Sequence, residues 1–99
     1  MDPSTIETLV EQHLAGLRSK PVADLLSLPE YGEEIVKIKG KDAYLCTYHD
    51  ALESERHRFV VQGVQRWRWV SNKVVAQGFE ISSDHSFRTL TQEELYDFT

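Results

Sequence analysis

"HRFVVQGVQRWRWVSNKVVAQGFEIS", residues 57–82, decides the fold, because it is the longest run in the chain with a period of two. Side chains alternate faces along a strand, so Phe59, Val61, Trp67 and Trp69 share one face while Arg58, Arg66 and Arg68 share the other. A tight turn at Ser71-Asn72 makes this a long hairpin, with Trp69 opposite Val74 and Trp67 opposite Ala76. On that register the tryptophans continue the core face. Each removes roughly 200 Å² from water, a large incentive in a small domain. A bulge at Gly63 would instead bring Val64 opposite Phe79, with Ile81 beyond, and turn the tryptophans outward. The second arrangement leaves an exposed patch that a monomer seldom carries unused.

Upstream, "EIVKIKGKDAYLCTY" (34–48) predicts a first hairpin, closed at Gly40-Lys41. Ile38 then faces Ala43 and Val36 faces Leu45, with Ile35, Lys37, Tyr44 and Cys46 on the other face. "HDALESER" is a charged connection, and "SSDHS" (82–86) a loop. Ile6, Leu9, Val10, His13, Leu14 and Leu17 form one helical stripe, started by Asp2 or Ser4, with Ser4 and Glu7 at capping-box spacing. Pro21 opens and Pro29 ends a second, shorter helix. Thr91 and Glu94, with Leu90 able to staple onto Leu95, mark a short C-terminal helix. The expected architecture is a single α+β domain over residues 1–99: two N-terminal helices, a four-stranded antiparallel meander of two hairpins, and the C-terminal helix. A bent sheet forming a small barrel is the alternative.

Charge restricts function. The net charge is −5, yet residues 37–73 hold eight Lys or Arg against four Asp or Glu, while the rest hold three against twelve. An acidic body with a mildly basic middle does not suit a general nucleic-acid binder. No apolar run approaches the roughly 20 residues of a membrane span, and "MDPSTIETLVEQ" is acidic where a secretory signal is basic. A cytoplasmic location and no membrane partner are expected. Cys46, the single cysteine, excludes an internal disulfide.

Catalysis finds no carrier. Cys46 with His49 and His57 has zinc chemistry, but strand alternation sends Cys46 and His49 to opposite faces, so no metal is expected. Ser, Asp and His of "SSDHS" are too close in sequence to converge as a triad, and turn chemistry explains them. Glu33-Glu34 enters a strand and Glu93-Glu94 suits a helix start. The glycines are scattered, so no phosphate loop is present. The expectation is a non-enzymatic binding domain without cofactor. Its partner is another protein or a second copy, met through the second hairpin (57–81), with Trp67, Trp69, Arg66, Arg68 and Val74 as the candidate surface. The rival is weak single-stranded nucleic-acid binding, with Trp67 and Trp69 stacking bases and Arg58, Arg66, Arg68 and Lys73 on phosphates.

Overall fold

The computed structural model describes residues 5–67 and 71–99, and their side chains except those of residues 66, 67, 71 and 72. One long helix lies across a five-stranded antiparallel sheet in which the strands follow chain order. Helix α1 is Ile6–Arg18 and α2 is the five-residue Val22–Leu26. The strands are β1 (Tyr31–Ile38), β2 (Lys41–Ala51), β3 (His57–Trp67), β4 (Ser71–Ile81) and β5 (Phe87–Thr89). Two 3₁₀ turns, Glu53–Glu55 and Tyr96–Phe98, complete the elements.

This corrects the expected architecture in three places. The sheet has five strands, not four, and does not close into a barrel. The second N-terminal helix shrinks to little more than a turn, in which only Leu25 is fully buried. The C-terminal capping box does form, with Thr91 N–H bonding Glu94 Oε1 (3.0 Å) and Glu94 N–H bonding Thr91 Oγ1 (3.3 Å), yet only a 3₁₀ turn follows. A cap removes end penalties but does not by itself nucleate a helix, whose first turn fixes several residues for a single hydrogen bond. The N-cap of α1 is Thr5, whose hydroxyl accepts from Thr8 N–H at 3.2 Å; Asp2 and Ser4 lie outside the described residues. The missed β5 is three residues long, too short to show alternation, and it pairs Phe79 with Thr89 and Ile81 with Phe87.

Both hairpins are shifted from the expected register. The first turns at Lys39-Gly40, whose φ values of 51° and 81° suit a type I′ turn, and Ile38 pairs with Lys41 and Val36 with Ala43. The two-residue slip keeps every side chain on its expected face. In the second hairpin Trp67 pairs with Ser71, Val64 with Val74, Gln62 with Ala76 and Phe59 with Phe79. Relative to a turn at Ser71-Asn72 this is an odd shift, which exchanges the faces of β4. It brings Phe79 and Ile81 onto the face of Phe59 without a bulge, since pairing runs unbroken through Gly63 and Gly78. The energetic reason is direct: Phe59, Phe79 and Ile81 end at 0–1% exposure, each worth about 1.5–3 kcal/mol.

The first face of the sheet receives α1. Ile6, Leu9, Val10, Leu14 and Leu17 pack on Ile38, Ala43, Leu45, Phe59, Val61, Phe79 and Ile81. Gly63 lets the helix approach: an added Cβ would stand 2.7 Å from Ile6 Cγ1 and from Val10 Cγ2. The rings of His49, Phe59, Phe79 and Phe87 stack in sequence at 4.4–5.3 Å. On the second face a smaller cluster of Val60, Ala76, Leu90 and Leu95 forms under the C-terminal segment, with Tyr48 and Phe98 packed against it. Buried Glu80 lies on this face, bonded by Arg56 at 2.8 Å and by Arg88, which also bonds Glu94 at 2.8 Å.

Candidate functional site

The C-terminal segment covers one end of the second face, through Leu90, Leu95 and Phe98. Cross-strand register then defines what remains. Ile35 pairs with Tyr44, Tyr44 with Val64, and Val64 with Val74, so one apolar row crosses four strands. Strand spacing makes that row about 14 Å long. Ile35 is 63% exposed at its outer end, and Tyr44, Val64 and Val74 are half-buried. The next row is Glu33, Cys46, Gln62 and Ala76, and Tyr31 pairs with Tyr48 beyond it. Together Tyr31, Glu33, Tyr44, Cys46, Tyr48, Gln62 and Val64 line an open groove of about 380 Å³.

The groove is polar along its floor and aromatic along its walls. Tyr31 donates to Glu33 Oε2 at 2.7 Å and its hydroxyl lies 3.3 Å from Cys46 Sγ. Those bonds, to Cys46 and then to Glu33, push the Tyr31 pKa well above the ordinary tyrosine value. Tyr48 is also raised, chiefly by burial, and donates to Gln62 Oε1 at 3.0 Å. Gln62 in turn donates to the Phe98 carbonyl, which ties the C-terminal segment to the groove's edge. These tyrosines are therefore neutral hydrogen-bonding groups over the whole physiological range.

The candidate residues from the sequence are placed unequally. Val74 ends the apolar row. Arg68 and Trp69, and the side chains of Arg66 and Trp67, lie outside the described set, so the question of buried or exposed tryptophans falls there too. Two cations of the nucleic-acid reading are engaged within the chain. Lys73 is paired with Glu7, and Arg58 bonds Asp50 at 2.7 Å with its guanidinium 5.4 Å from the Phe98 ring. Cys46 lies on the second face and His49 on the first, where Leu28 O and His57 Nδ1 sit 2.9 Å from its ring nitrogens. Among the described residues no group of three or more His, Cys, Asp or Glu is arranged to hold a metal.

A second concavity of about 400 Å³ lies between α1 and β1, lined by His13, Leu17, Leu28, Glu34, Leu45 and Thr47. There His13 Nε2 and Thr47 Oγ1 satisfy each other at 3.1 Å, and among the described residues no fully buried side-chain nitrogen or oxygen lacks a hydrogen-bond partner. "SSDHS" is a turn in which Asp84 Oδ1 accepts from Ser86 N–H at 3.0 Å and from its hydroxyl at 2.6 Å.

The tyrosine groove was not singled out from the sequence, although its signal is present. "DAYLCTYHD" alternates Tyr44, Cys46 and Tyr48 with Ala43, Leu45, Thr47 and His49, so this strand is apolar on both faces. One helix can cover only one of them. Among the described residues no helix is long and apolar enough to cross a membrane. No family model, curated protein or solved structure matches the chain.

Proposed function

We propose that the chain is a non-catalytic binding domain that works by protein–protein contact through the half of its second sheet face that lies beyond the cluster of Val60, Ala76, Leu90 and Leu95. The row Ile35, Tyr44, Val64 and Val74 carries this reading, because it is an apolar stripe held in register across four strands, with Ile35 63% exposed at its outer end. Rigid tyrosines at its side add contact area at low entropic cost, as interface residues do. The surface reaches the second hairpin at Val64 and Val74, and so adjoins Arg66, Trp67, Arg68 and Trp69 in sequence. Nucleic acid is the weaker reading, since Lys73 and Arg58 already have carboxylate partners.

The test places a photo-crosslinking phenylalanine at Tyr44 in one variant and at exposed Gln12 of α1 in another, in cells of the source organism. A discrete product from the Tyr44 position alone, lost with Val64→Lys in a chain whose melt shows it folded, supports the reading. The lysine stem can lie along the sheet while its charge blocks the row. Absence of a product, or identical products from both positions, overturns it.

A further inference from the structure

We infer that the partner is a second copy of this chain, joined edge to edge by antiparallel pairing of β1 with β1 of its mate, centred on Ile35. The inference rests on the reading of this face as an interface and names the partner that meets its apolar row at the Ile35 end. Strand β1 is an outer strand of the sheet, eight residues long. The two-residue turn makes Ile38 and Lys41 a hydrogen-bonded pair, and Glu30 O accepts from His49 N–H at 3.0 Å. Even-numbered residues of β1 therefore bond to β2. Odd-numbered Tyr31, Glu33, Ile35 and Lys37 aim their backbone groups away from the sheet.

A two-fold axis perpendicular to the sheet keeps faces matched only if residues of equal parity oppose each other. Centring it on Ile35 sets Ile35 against its own copy and Glu33 against Lys37 of the mate, twice. Each such pair is of the type that exchanges two backbone bonds, with Cα atoms about 5.5 Å apart. Centring on Glu34 or Val36 loses this charge match, placing Ile35 opposite Glu33 or Lys37 instead. A lysine on an edge strand ordinarily repels a second edge. In the single chain Lys37 is paired with Asp42 at 2.6 Å, and Glu33 accepts from the Tyr31 hydroxyl at 2.7 Å. That ion pair is exposed and worth little, so the mate's glutamate can share the lysine. The centred register also joins the two apolar rows end to end, Val74 through Ile35 and out to Val74 of the mate, and covers the most exposed member of the row.

The test is sedimentation velocity over a wide concentration range, with charge variants. Wild-type chain should show a reversible monomer–dimer equilibrium. Glu33→Lys and Lys37→Glu should each weaken it by about tenfold or more, because like charges then oppose at two places. Mixing the two variants should restore association, since every facing pair is again opposite in sign. Ile35→Cys should form a disulfide to its own copy on mild oxidation, because the Cα separation suits one, whereas Lys37→Cys should not. A wild-type monomer at every concentration, or a dimer indifferent to these charges, overturns edge pairing. Either result leaves the Tyr44 crosslink to decide the wider reading on its own. Edge pairing without a Tyr44 crosslink would instead limit the contact to β1.

Discussion

Replacing Gly63 by alanine tests the packing that fixes the orientation of the sheet. Ile6 and Val10 are 1% and 0% exposed, and an added methyl would lie 2.7 Å from each. Carbon atoms rest at about 3.5–4.0 Å, so the helix must move by about 1 Å or both side chains must leave their rotamers. Overpacking of this kind costs about 1–3 kcal/mol. Against it stands a gain of up to about 1 kcal/mol from replacing glycine within a strand. The expected net loss is about 1–2 kcal/mol, or about 4–16 °C in Tm for a chain this size. Gly32→Ala is the matched control, because nothing lies within 4 Å of its added Cβ and its φ is not positive. That variant should be neutral or gain about 0.4–1 kcal/mol. Urea titrations and thermal melts by circular dichroism measure both. Equal stability of the two variants would refute close approach of α1 at Gly63.

Phe59→Ala removes a fully buried ring stacked between His49 and Phe79 and should cost about 3–5 kcal/mol, leaving little of the native state in a denaturant titration. Acid should destabilise the chain through Glu80 and Glu94. Hydrogen bonds from Arg88 are the largest cause that lowers both, and Glu94 is held at about 2 against an ordinary 4.5. A lowered carboxylate stabilises fully above its ordinary pKa and loses that contribution as pH falls toward the folded value. Tm should therefore fall between about pH 4.5 and 2, and Arg88→Gln should flatten the fall; an unchanged slope would contradict the network. Oligonucleotide binding, measured by fluorescence anisotropy, should be weak at low salt and absent at physiological salt.

Much of the fold was legible because burial is periodic. The α1 stripe and the faces of the first hairpin follow from spacing alone, and a two-residue slip does not disturb them. The second hairpin failed at its turn. Ser71-Asn72 has turn chemistry, but the register is set by where Phe79 and Ile81 find Phe59 and the helix, a tertiary constraint that no local dipeptide encodes. The glycines misled in the same way: Gly63 and Gly78 mark close approach by Ile6, Val10 and Leu90 rather than bulges. Strand β5 was hidden by its brevity, and the C-terminal segment kept its cap without the helix the cap announces. Val74, expected opposite Trp69, instead faces Val64, and the row it ends depends on register across four strands, which spacing along one strand does not encode.

Residue-resolved amide exchange along β1, in dilute and in concentrated solution, tests most directly whether the chain acts through this edge and row. Amides of Gly32, Glu34, Val36 and Ile38 should be protected at both concentrations, because they bond to β2. Those of Glu33, Ile35 and Lys37 should exchange quickly when dilute and become protected when concentrated. Exchange at Ile35 that is fast and independent of concentration, up to the solubility limit, would contradict the paired edge.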